Sequence, residues 1–169
     1  MTVQCPRPDQ ARRRRPSVRE LERLDREFAF ESQRYTPLPM RDLLWFALHT
    51  KQDAAAVCAL EWDQIDIDAS EIRVRTTSES ADSALPPKRF NQNVRNILRA
   101  RARTERRIFP YAPEEIRQAF TLACSKLNIP NLTFDDLVRT RLPHWMQQHF
   151  ERAPHIPKSH MSGPRGWLH

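Results

Sequence analysis

A chain of 169 residues, 39% of them hydrophobic, has the length of one domain and enough apolar material for a sizeable core. Its 28 Lys and Arg outnumber 21 Asp and Glu, giving a net charge of +7 and a pI near 10.0, which makes a polyanion the natural first partner. Cysteine is sparse and odd in number (Cys5, Cys58, Cys124), with no Cys-x-x-Cys or Cys/His ligand spacing. This argues against a disulfide framework or structural zinc, and no metal or cofactor is expected. No apolar run approaches a membrane span, and Cys5 to Arg15 lacks the apolar core of a signal peptide, so the expectation is a cytoplasmic protein without a membrane partner.

Residues 1–16 carry Pro6, Pro8, Pro16 and the run Arg12-Arg13-Arg14-Arg15. Too few apolar groups occur there to offset the entropy of ordering, which predicts a basic flexible arm ahead of a body at 17–169. Ser17 with Glu20 three residues on forms a capping-box signature, and Leu21, Leu24 and Phe28 follow at helical spacing. A second helix is predicted over 39–49, with Met40, Leu43, Leu44, Ala47 and Leu48 as its apolar face, and a short third over 54–60 from its alanine content. Trp62 then reads as core at the end of that helix. Between Ile65 and Leu85 the period becomes two: Ile72 and Val74 alternate with Arg73 and Arg75, and a polar turn segment closes at Pro86-Pro87, predicting a small antiparallel sheet with Lys88 beyond its end.

Helices resume at about Asn91. Val94, Ile97 and Leu98 point inward, while Arg95, Arg99 and Arg103 recur every four residues on another face. Two readings of that row are open, a solvated helix face and a phosphate-contacting stripe. Arginine dominates the basic residues, lysine occurring only at positions 51, 88, 126 and 158, and its planar fork suits phosphate better than an ammonium does. The next helix is predicted over 113–127 with Ile116, Phe120, Ala123 and Leu127 as its core stripe. Thr133 caps another, with Asp136 as the acid of a short capping box and Pro143 expected to kink or divide it. The fold class is therefore mainly α with a small antiparallel β-sheet.

Four separated blocks carry a resemblance. Phe134-Asp135-Asp136-Leu137-Val138-Arg139 and Ser162-Gly163-Pro164-Arg165-Gly166-Trp167 stand where the tyrosine recombinase (phage integrase) family has Phe-His-Asp-Leu-Arg-His and Ser-Gly-His-Arg-x-Trp. The stretch from Phe46 to Asp66 is similar to that family's Ala-Leu-x-Thr-Gly-x-Arg-x-x-Glu-x-x-x-Leu-x-Trp-x-Asp-Ile-Asp, and Ile108-Phe109-Pro110-Tyr111 with the helix after it resembles the next stretch. The likeness covers about residues 17–169 and implies the DNA breaking-rejoining fold of that family's catalytic domain.

The same register implies lost chemistry. Asp53 takes the place of the first catalytic arginine, Ala56 that of its supporting glutamate, Ser78 that of the hairpin lysine, Asp135 that of a histidine, Val138 that of the second arginine and Pro164 that of the later histidine. The sequence stops at His169, short of the nucleophilic tyrosine's place. Trp167 matches a position that bonds the phosphate in active members, and beside Pro164 it reads as a packing anchor. Tyr111 reads as a structural aromatic, Tyr35 as packing, and the histidines at 144, 149, 155, 160 and 169 as solvated side chains rather than metal ligands.

Removing one phosphate-clamping donor costs about 3 kcal/mol of transition-state stabilisation. A carboxylate in its place adds repulsion, about 4 kcal/mol at 4 Å and an effective dielectric of 20. The old pocket should exclude phosphate unless Arg139 or Arg165 turns in. The expectation is thus a pseudo-recombinase with no catalytic residue. It would hold double-stranded DNA through Arg12, Arg13, Arg14, Arg15, Arg73, Arg75, Arg95, Arg99, Arg103, Arg139 and Arg165, as an accessory or regulatory factor in recombination of a mobile element. The alternative is a protein-interaction module or relic that associates with an active tyrosine recombinase without binding DNA. The 16 residues before Ser17 cannot form the family's separate core-binding domain, so weaker and less selective binding is expected.

Overall fold

The structure is a computed structural model, and it describes residues 14–32, 38–73 and 87–146. Within them the chain is mainly helical with a small three-stranded antiparallel sheet. The helices are α1 (Val18–Ser32), α2 (Met40–Thr50), α3 (Ala54–Ala59), α4 (Gln92–Ala100) and α5 (Pro113–Lys126), joined by 3-10 helices at Trp62–Gln64 and Phe134–Arg139. The strands β1 (Ile65–Asp66), β2 (Glu71–Ile72) and β3 (Lys88–Arg89) lie in that spatial order, with Ile65 opposite Ile72 and Glu71 opposite Arg89. Val74, Arg75 and the turn segment up to Pro86 lie outside the described residues, whereas Lys88, expected beyond the sheet, is the first residue of β3. No described helix is long and apolar enough to cross a membrane.

Helix α2 organises the core. The run Leu43-Leu44-Trp45-Phe46-Ala47-Leu48 is buried throughout, so α2 hides nearly its whole circumference and touches α1, α3, α4, α5 and the second 3-10 helix. The stripe Leu21, Leu24 and Phe28 fastens α1 to it, and a polar contact adds direction. Asp25, buried, accepts from Arg41 Nε at 2.8 Å, Arg41 Nη2 at 3.1 Å and Trp45 Nε1 at 2.6 Å. Aromatic rings bridge the other layers: Phe46 meets Phe109 edge-on at 5.1 Å, and Phe120 meets Phe134 at 5.6 Å.

Most helix starts follow local chemistry. Ser17 N donates to Glu20 Oε2 at 2.8 Å while Glu20 N donates to Ser17 Oγ at 3.3 Å, the reciprocal pair the sequence predicts. The same carboxylate grips Arg14 at 2.8 and 3.2 Å, and Arg14 Nε reaches the Asn131 carbonyl at 3.2 Å. Of the predicted flexible arm only residues 14–16 are described, and these are held rather than free: Arg14 is tied down and Pro16 is buried, because Glu20 serves the cap and the guanidinium together. Burial pushes the Glu20 carboxyl up, but bonds from Arg14 and Ser17 outweigh it and hold it below the ordinary carboxylate range. Asn91 caps α4, its side chain accepting from Val94 N, and α5 starts with Pro113 as its first residue.

Two expectations change. The segment after Thr133 is a 3-10 helix ending at Arg139 rather than a longer α-helix kinked at Pro143. Proline disfavours helical geometry at Leu142 before it and would clash with the carbonyl four residues back, so the chain extends from Thr140 and turns again only at His144. Helix α4 ends at Ala100, because Arg101 is drawn out to Asp42 at 3.0 Å with its guanidinium 4.9 Å from the Phe109 ring centre. Arg103 thus does not continue the helical row of Arg95 and Arg99.

Candidate functional site

The end of α2, the start of α3, the middle of α5 and the second 3-10 helix converge on Asp135. Lys51 closes α2 in the left-handed conformation (φ 57°, ψ 43°), its N–H donating to the Ala47 carbonyl, and this turn aims the next residues at the 3-10 helix. Asp53 then caps α3, accepting from Ala56 N at 2.9 Å. One residue on, Ala54 N donates to Asp135 Oδ1 at 3.0 Å. The other oxygen of Asp135 accepts from Arg117 Nε at 2.9 Å, and Arg117 also pairs with Glu114. Lys51 Nζ donates to the Thr140 carbonyl, fastening the far end of the same segment.

Asp53 and Asp135 are thus neighbours in space, and their charges have different roles. Asp53 is exposed and holds a helix start; Asp135 is half-buried and bridges an amide to a guanidinium. The hydrogen bond from Arg117 to Asp135 raises the guanidinium's pKa further, so this cation is always charged and already neutralised by carboxylates. Burial lowers the Lys51 ammonium below the usual lysine range. Among the described residues, the cation bonded to Asp135 is Arg117, which is already paired with carboxylates.

The arginine that meets Asp135 is Arg117; of the two considered for turning in, Arg139 does not pair there and Arg165 lies outside the described residues. Arg139 remains exposed on the 3-10 helix with no ion pair among the described residues, while Arg117 comes from α5, beside the buried Ile116. No sequence signal marks Arg117: it lies one position off its helix's core stripe and pairs across 18 residues. Ala56 lies in the first turn of α3 and Val138 on the 3-10 helix, both half-buried. Ser78, Arg12, Arg13, Arg75, Pro164, Arg165 and Trp167 lie outside the described residues, as do Tyr35 and the histidines at 149, 155, 160 and 169.

The remaining predicted DNA-contacting arginines fall in several places. Arg14 is paired with Glu20 and Arg15 is exposed beside it. Arg73 is exposed at the end of β2. Arg95 is half-buried, bonding Ser70 Oγ and, at 3.5 Å, the Asp68 carbonyl, so it ties α4 to the β1–β2 turn rather than standing free. Arg99 is exposed, and Arg103 stacks on the Trp62 ring at 4.8 Å. Trp62, expected in the core, is instead half-buried: as the first residue of a 3-10 helix it sits at the edge of the core, with the Arg103 guanidinium over its ring.

Tyr111 packs half-buried against the core, and His144 is exposed. Among the described residues no three His, Cys, Asp or Glu side chains gather closely enough to hold a metal ion. Comparison of the chain with protein-family models, curated proteins and solved structures finds no match.

Proposed function

We propose that this chain is a DNA-binding protein of tyrosine-recombinase-like build that does not cleave DNA. More specifically, we infer a cytoplasmic accessory or regulatory factor in site-specific recombination of a mobile element, with double-stranded DNA as its partner. The observation that carries this reading is the junction at Asp135. Two segments that the resemblance assigns to phosphate handling lie against each other through Ala54 N and Asp135, and the residues at the positions it assigns to cationic groups, Asp53 and Asp135, are carboxylates, which supports a reading without cleavage. Arg117, the guanidinium nearest at hand, is bound to Asp135 and Glu114. The net charge of +7 supports attraction to duplex through phosphates alone.

The test is a gel-shift titration of the full chain on duplex at low salt, paired with a nicked suicide substrate. Retarded duplex without a covalent adduct is the expected result. No binding at low salt removes the DNA-binding reading, and a covalent adduct removes the inactive one.

One observation favours a second reading, an interaction module for an active tyrosine recombinase. Leu38, Tyr111, Ala119 and Leu122 line an open groove of about 360 Å³ beside α5, and Leu122 is 60% exposed. Co-purification with an active recombinase in the absence of DNA supports this reading over the first.

A further inference from the structure

Eight of the chain's 28 Lys and Arg lie between Lys88 and Arg107, against the single acid Glu105. This stretch is β3, α4 and the loop that returns from α4 to the core. Its apolar side is occupied: Phe90, Val94, Ile97 and Leu98 are buried, and α4 packs on α2. Lys88, Arg89, Arg99, Arg103, Arg106 and Arg107 are all exposed.

The stretch is held in place at several points. Phe90 N donates to the Ser70 carbonyl at 2.9 Å, and Arg95 bonds the same β1–β2 turn. The return loop is pinned to the segment ahead of β1, with Trp62 N donating to the Arg106 carbonyl at 3.1 Å and Ile108 N to the Leu60 carbonyl at 3.0 Å. Arg103 lies on Trp62, and Arg106 pairs with Glu61 at 3.0 Å while staying 75% exposed. An ion pair that open to water is weak and exchanges readily for another anion. Lys88, Arg99 and Arg107 have no ion pair among the described residues. The sheet therefore carries a fixed, strongly basic border, and fixing cations beforehand lowers the ordering cost of binding.

We propose that this ribbon, Lys88 to Arg107, is the surface along which the chain tracks the phosphates of double-stranded DNA, apart from the Asp53–Asp135 junction. The inference rests on the DNA-binding reading above and gives it a location. Five of the ribbon's six exposed cations are arginines, whose planar fork pairs two phosphate oxygens at once. An anionic membrane fits less well: a basic helix that binds lipid needs a free apolar face to insert, and that of α4 is buried.

The experiment compares the full-length wild type, Lys88→Gln/Arg99→Gln/Arg107→Gln, and a control of equal charge loss elsewhere, Arg19→Gln/Arg26→Gln/Arg141→Gln, whose side chains are also exposed. Affinity for a short mixed-sequence duplex is measured against salt, with matching melting curves as the check on folding. The ribbon variant is expected to bind on the order of a hundredfold more weakly at low salt and to flatten the log–log salt slope by about 3, while the control keeps the slope. Equal losses in both variants, or wild-type affinity in the ribbon variant, overturn the ribbon and leave the DNA-binding reading standing. A wild type that binds no duplex overturns both. Wild-type binding to phosphatidylserine vesicles without duplex binding, lost in the ribbon variant, reassigns the surface to lipid.

Discussion

The side-chain amide of Asn91 meets His49 Nδ1 at 2.9 Å, and this contact links the protonation of a half-buried histidine to the start of a helix. Asn91 Oδ1 accepts from Val94 N as the cap of α4, so its Nδ2 is the group that donates to the ring. Nδ1 is then an acceptor and the proton sits on Nε2, which faces the Asn93 amide at 3.3 Å. That second contact is a hydrogen bond when Asn93 turns its oxygen to the ring.

Burial, with the nearby Lys51 charge adding to it, lowers the His49 pKa to about 4. The sign follows from linkage. An unfolded chain takes up the proton near 6.5, the folded one only near 4, so the stability from neutral His49 is complete above about pH 6.5 and is lost as pH falls through about 4. The shift corresponds to about 3 kcal/mol at most. Urea unfolding between pH 7 and 4 should show this loss, and His49→Gln should flatten the profile. Nitrogen NMR should find Nδ1 unprotonated at pH 7, and a protonated Nδ1 there sinks the assignment.

Asp25 supplies a different test, of α1 against α2. Asp25→Ala removes the acceptor of the buried Trp45 indole N–H and of the half-buried Arg41, and should cost about 2–3 kcal/mol, a sizeable part of a domain's stability. Asp25→Asn keeps an acceptor for the indole and should lose less. Chemical denaturation of the two variants reads the difference, and equal midpoints for Asp25→Ala and wild type would refute the contact.

Lys51 occupies a left-handed turn while its ammonium holds the Thr140 carbonyl. Lys51→Gly relieves the backbone and loses the contact, so it should stay near wild-type stability. Lys51→Ala loses the contact and keeps the penalty. The gap between the two variants should be about 1 kcal/mol in favour of glycine. Alanine as stable as glycine in thermal melts contradicts the turn geometry.

At the candidate site, Asp135→Ala deprives Ala54 N and Arg117 of one acceptor each. The pair is partly exposed and Glu114 still holds Arg117, so the loss should be about 1–2 kcal/mol. Asp135→Asn should recover part of it by keeping an acceptor for Ala54 N. A loss several times larger would mean that the junction supports much more of the fold than these two bonds do.

Local chemistry made much of the fold legible from sequence. Ser17 with Glu20 and Thr133 with Asp136 are partners three residues apart, and both boxes form; the stripes Leu21-Leu24-Phe28 and Ile116-Phe120-Ala123 lie inward as their spacing predicts. The position of Pro143 already contains the reason the segment from Thr133 stops early, yet the choice of a 3-10 helix depends on where Thr140 is held by Lys51, 89 residues away.

What tertiary structure alone decided is the fate of the charges. Nothing near Asp135 in the chain announces that its carboxylate meets Ala54 N, 81 residues distant, and Arg117 rather than Arg139. Nor does the period of Arg95, Arg99 and Arg103 show that Phe109, Asp42 and Trp62 draw the chain out of its helix after Ala100. The physical reason is range. Helix caps and apolar stripes are settled by neighbours within about one turn, whereas a long charged side chain takes whichever partner packing delivers, and sequence spacing carries no record of that partner.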